Sequence, residues 1–165
     1  MELIEVFVSG IAVDKEREHP VVLLKSEDSD EIMPIWIGPA EANAIAMKLQ
    51  DVQAPRPLTH DLLTRVVTGL GGTLRRVFIN SVKENTYYAE MVIDRDDHVF
   101  QVDARPSDSI ALALRLEAPI FTEDRLLNHP VEGDDAIQSD PALSAELLKQ
   151  RLEKLDPQDF GRFNP

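Results

Sequence analysis

Twice in this chain, three short segments with apolar residues at period two are followed by an alanine-rich apolar helix with a proline near its start. No other feature constrains the fold as much. The first set is "LIEVFVSGIAV", "VVLLKSE" and "IMPIWIG", joined by the polar turns "DKEREHP" and "DSDE". Ile4, Val6, Val8, Gly10 and Ala12 make one wholly apolar strand face. Gly38-Pro39 then opens the helix "AEANAIAMKLQ", with Pro at the first helical position and Glu41 where a carboxylate suits the helix dipole. The second set is "TLRRVFINSV", "TYYAEMVID" and "HVFQVDA", with tight turns at "KEN" and "DRDD". The helix "SDSIALALRLE", a short strand "PIFT" and a short helix "EDRLLNH" follow. Short polar connections between successive strands predict antiparallel meanders.

Between the two sets lies the connector "DVQAPRP", whose prolines exclude helix. Thr59 is the expected N-cap of a further helix with the apolar stripe Leu62, Leu63, Val66, Val67 and Leu70, ended by "GLGG". The fold class is therefore α+β: two antiparallel β-meanders, each followed by a helix, plus a C-terminal helix. "IAMKL" and "IALAL" end the two sets alike, which is either an internal duplication or the chance similarity of two alanine-rich helices. Residues 1–128 are expected to form one domain. Residues 129–165 read as a linker and an amphipathic helix through Leu143, Leu147, Leu148, Leu152 and Leu155, suited to docking on the main body or a neighbouring subunit.

Composition narrows the function classes. The chain has no cysteine, which excludes disulfides, thiolate nucleophiles and the common thiolate zinc sites. No apolar run approaches a membrane span and no basic leader precedes one, so a cytoplasmic protein without membrane contact is expected. The net charge of −13 repels phosphate on average, so any nucleic acid must be met by a local basic patch or a bridging divalent cation. His19, His98 and His129 stand in predicted turns without a second histidine at ligand spacing, and there is no Gly-rich phosphate loop or familiar nuclease signature.

The remaining chemistry gathers at two similar corners, "RPLTHDLL" (Arg56 to Leu63) and "DARPSDSIALALR" (Asp103 to Arg115). In the first, Asp61 lies opposite the Leu/Val stripe and suits an exposed ion pair with Arg65, whereas His60 sits at the stripe's edge, within reach of a cleft. In the second, the helix is apolar all round, so its start, carrying Arg105, Ser107 and Asp108, should lie inside a groove. Asp103 leaves its strand on the polar side, nearby. Two carboxylates and an arginine at a helix start suit a divalent cation with a phosphate, and they equally suit a salt bridge that pins a strand-helix corner.

In this order, "MPIWIGPAEANAIA", "RPLTHDLL", "YYAEMVI", "DARPSDSIALALR" and "API" resemble the bifunctional nuclease domain family, over roughly Leu3 to Leu127. The ending "LDPQDF" is similar to tails of bacterial members, and "SDS" replaces the commoner "SDA". The resemblance implies an α+β domain that forms homo-oligomers, dimers first, and plant members are credited with cutting DNA and RNA. It carries over no agreed catalytic set; the matched motif positions are Arg56, Pro57, Thr59, His60 and Asp61, then Asp103, Arg105, Pro106, Ser107 and Asp108, with Glu41 after "IGP". The expectation is a nuclease acting on DNA or RNA with Mg²⁺ or Mn²⁺. Asp103, Asp108 and Glu41 would hold the metal, His60, Asp103 and Asp108 would be catalytic, and Arg56, Arg105 and Ser107 would bind phosphate. The alternative is a non-catalytic dimeric binding or regulatory module whose Arg-Pro corners are structural.

Overall fold

The computed structural model of the chain describes residues 3–15 and 18–127. The first meander is β1 (Leu3–Asp14), β2 (His19–Lys25) and β3 (Ile32–Trp36), followed by α1 (Pro39–Leu49) and α2 (Thr59–Gly69). The second is β4 (Thr73–Lys83), β5 (Thr86–Arg95) and β6 (His98–Ala104), followed by α3 (Pro106–Leu116), β7 (Ile120–Glu123) and α4 (Asp124–Leu127). The class is α+β, as the sequence implies. The proposed linker and C-terminal helix lie outside the described residues.

All seven strands form one sheet in the order β3-β2-β1-β7-β4-β5-β6. Each meander begins beside β7 and steps outward, so the four-residue "IFTE" strand joins the two halves. It pairs antiparallel with β1 and parallel with β4, the single parallel contact among the described residues. The halves thus keep the same strand order on either side of β7, which does not establish a duplication. The period-two face expected along β1 is interrupted between Val8 and Gly10, where the register against β2 shifts. Beyond this irregularity Ile11 is buried beside Ala12, because an extra residue in a strand moves side chains to the other face.

α1 and α3 pack against each other, α1 on β2 and α3 on β4 and β5. One apolar core fills the space between them and the sheet, with Leu24, Met33, Ile45, Ile79, Ile110 and Leu112 fully buried. α3 is buried on several sides, at Pro106, Ser107 and from Ser109 to Ala113, as its apolar run "IALAL" requires.

α2 departs from expectation in two ways. Thr59 is its first helical residue and Leu58 its N-cap; the capping group is Asp61, whose Oδ2 accepts the Leu58 N–H at 3.0 Å. The apolar stripe does not enter the core. No residue of α2 is buried, and Leu62 and Leu70 stand 56% and 63% exposed. An amphipathic pattern shows which residues share a face but not what covers that face.

Candidate functional site

The two Arg-Pro corners meet where the first turns of α1, α2 and α3 converge. They border a groove of about 1140 Å³, walled by Glu41 of α1, His60 and Leu63 of α2, and Arg105 and Asp108 at the start of α3. Its floor includes Met91 of β5 with Val102 and Ala104 of β6. Met91 and Val102 are cross-strand partners, as are Ala89 and Ala104, so this is the core-facing side of the sheet left uncovered near its edge.

Four side chains form a chain of contacts there. His60 Nε2 lies 2.9 Å from Asp108 Oδ1, and Arg105 Nε donates to Asp108 Oδ2 at 2.8 Å. Arg105 Nη2 reaches Glu41 Oε1 at 3.0 Å. An ionised carboxylate only accepts, so Nε2 carries a hydrogen and donates it, which leaves Nδ1 as the ring nitrogen not engaged by Asp108. Burial by itself would raise the Asp108 carboxyl; hydrogen bonds from Arg105 and His60, and their charge, outweigh it and hold the group below the usual carboxylate range. The same contacts push the Arg105 guanidinium upward, its bond to Asp108 foremost. Arg105 uses two of its five N–H donors and its side chain remains 66% exposed, so the others are free for a ligand.

Behind this chain, a second arginine fixes α2 in place. Arg115 of α3 donates from Nε to Asp61 at 2.7 Å, from Nη1 to the Ala111 carbonyl at 3.0 Å and from Nη2 to the Ala44 carbonyl of α1 at 3.0 Å. Asp61 is therefore not in the exposed pair with Arg65 that helical spacing suggested. Burial raises its carboxyl, but the Arg115 and Leu58 hydrogen bonds, with the charges of Arg115 and the more distant Arg65, leave it lowered. Because α2 buries no residue, this clasp is the main polar contact that sets His60 against Asp108. Sequence spacing could not show Arg115 as a site residue, since its partner is distant in the chain.

The expected site residues thus separate. His60, Arg105, Asp108 and Glu41 come together. Asp103 borders the groove but pairs across the sheet with Glu90, and its side chain forms no hydrogen bond or ion pair among the described residues. Ser107 is buried in the first turn of α3. Arg56 lies outside the groove, in a smaller pocket on the other side of Pro57. For a divalent cation the donor set fits poorly. Arg105 stands between Glu41 and Asp108, and among the described residues no three His, Asp or Glu side chains are gathered to hold a metal.

Comparison with known proteins agrees with the motif order. The chain belongs to the bifunctional nuclease domain family, whose model matches residues 22–131. A Mycobacterium tuberculosis (strain H37Rv) protein described as uncharacterized is 41% identical, over 94% of this chain and 97% of its own. Bifunctional nuclease 1 of Oryza sativa subsp. indica is 25% identical over 88% of this chain and 45% of its own. Bifunctional nuclease 2 of Arabidopsis thaliana is 29% identical over 62% of this chain and 32% of its own. The chain spans less than half the length of these plant relatives.

Proposed function

We propose that this member of the bifunctional nuclease domain family is a nuclease that cleaves phosphodiester bonds of DNA or RNA in the groove between α2 and β6. One observation carries the reading: an ionised Asp108 holds His60 Nε2–H at 2.9 Å in a groove that also presents spare Arg105 donors. The names of the plant relatives support it. In the reaction, His60 Nδ1 takes a proton from the attacking water or hydroxyl, and Asp108 stabilises the imidazolium that forms. Arg105 binds non-bridging phosphate oxygens through its unused N–H groups. As the new P–O bond forms, the bond to the leaving oxygen breaks, and imidazolium returns the proton to that oxygen.

Mg²⁺ or Mn²⁺ would supply charge neutralisation and a more acidic water. Of the expected ligands, Glu41 and Asp108 border the groove with Arg105 between them, while Asp103 alternates with the floor residues Val102 and Ala104 and so faces the other side of the sheet; they form no cage, and no step here runs through a metal. The test is cleavage of labelled single-stranded RNA and DNA by wild type and Asp108→Asn, each with Mg²⁺, Mn²⁺ or EDTA. A loss of about 100-fold in an equally folded variant is expected, the low end for general acid-base catalysis. Equal traces from both proteins would sink the assignment.

The second reading, a dimeric binding or regulatory module, is favoured by the charge of the groove: Glu41 and Asp108 outnumber Arg105 along its walls. On that reading Asp108→Asn melts lower and any cleavage is unchanged. On either reading the partner is a second copy of the chain, seated on the exposed apolar stripe of Leu62, Leu63 and Val66 of α2 and Leu70 at its C-terminal cap. A row of exposed apolar side chains at helical spacing is the kind of surface that favours association.

A further inference from the structure

The smaller pocket beside the groove has the opposite electrical character. It encloses about 360 Å³ between the end of α1, the connector and α2. Lys48, Arg56, Arg65 and Arg115 line it, with Asp51 and Asp61. Arg115 is committed to Asp61 at 2.7 Å. Three cations then face one further carboxylate, in a protein where 30 acidic residues outnumber 17 basic ones.

None of Lys48, Arg56 and Arg65 forms an ion pair with any described residue. Three cations gathered around a single uncommitted carboxylate, Asp51, repel one another, and a bound anion relieves that repulsion. The connector also fixes the place of one cation: Arg56 lies between Pro55 and Pro57, each with a locked φ. The start of the connector is tied to α1, where Val52 N–H donates to the Met47 carbonyl at 2.8 Å. Two guanidiniums and an ammonium at one pocket match a doubly charged oxyanion better than a lone carboxylate.

We propose that the Lys48/Arg56/Arg65 pocket is a phosphate-binding site. It holds a backbone phosphate of a strand that reaches the groove past Pro57, which lines both cavities, or a free pyrophosphate-like anion. The site stands on its own charge and geometry and does not need the groove to be catalytic. It also adds positive charge beside a groove in which Arg105 is the one lining arginine.

The test uses the full chain and two probes, inorganic pyrophosphate and a 5′-phosphorylated single-stranded pentanucleotide, followed by calorimetry. Arg56→Glu should weaken binding about tenfold or more, the loss expected for a charge-assisted hydrogen bond. Arg76→Glu carries the same change in net charge on an exposed residue of β4 that does not line the pocket, and should leave binding within about twofold if the effect is local. Arg56→Lys should recover part of the affinity. A pentanucleotide that binds more tightly and displaces pyrophosphate identifies a strand phosphate, and the reverse order identifies a free anion. The proposal falls if wild type binds neither probe, or if Arg76→Glu weakens binding as much as Arg56→Glu. Phosphate binding without cleavage would leave this site standing and remove the nuclease reading. Asp108-dependent cleavage without phosphate binding here would do the opposite.

Discussion

Replacing Arg115 by methionine should loosen α2 while leaving the sheet intact. The Arg115 side chain is 10% exposed and holds Asp61, the Ala44 carbonyl and the Ala111 carbonyl. The two carbonyls lie inside helices α1 and α3, so losing the arginine costs only the net value of each bond, about 0.5–1 kcal/mol apiece. Asp61 loses a charged partner, for which a fully buried pair would cost about 3–5 kcal/mol. Its side chain is 33% exposed and keeps the Leu58 N–H, so water replaces part of the loss and about 1.5–2 kcal/mol is the better figure. The sum is about 3 kcal/mol, which for a chain of this length lowers Tm by roughly 6–12 °C. Thermal denaturation followed by circular dichroism measures it, with Asp61→Asn and the double variant completing a cycle. A coupling of about 1–2 kcal/mol is expected between residues in contact. A fall of less than about 2 °C would refute the reasoning, as would strict additivity of the two substitutions. Since α2 carries His60, Arg115→Met should also slow any Asp108-dependent cleavage.

Two other outcomes follow from the same contacts. Asp61 and Asp108 both have folded pKa values below the ordinary 3.8, so their stabilising contribution is complete above that value and is lost as pH falls through the folded ones. Acid titration of stability should therefore show a loss below about pH 4 that shrinks in Asp61→Asn and Asp108→Asn; an unchanged acid limb in both would contradict the lowered values. Leu62→Glu, on the exposed stripe of α2, should shift sedimentation from dimer to monomer without lowering the monomer's Tm. Sedimentation of the wild type as a monomer would remove the oligomer reading.

Much of the architecture was legible in the sequence because it depends on local pattern. Period-two runs gave six strands, proline and glycine marked the ends of α1 and α2, and the apolar run "IALAL" marked a buried α3. His60 beside the apolar stripe and Asp108 at a helix start were readable as groove residues for the same reason. Partnership across the fold was not readable. Spacing joined Asp61 to Arg65, yet tertiary packing brought Arg115 nearer from a different helix. Likeness of motif put Arg56 and Arg105 in one site, and the rigid Pro55–Pro57 connector placed them in separate cavities. The joining role of β7 was equally hidden, since four residues carry no signal of which strands they will meet. The sequence by itself determined which residues share a helix or strand face, because that follows from backbone period. Only the tertiary structure decided which faces meet and which charge finds which, because those contacts depend on how the elements pack in three dimensions.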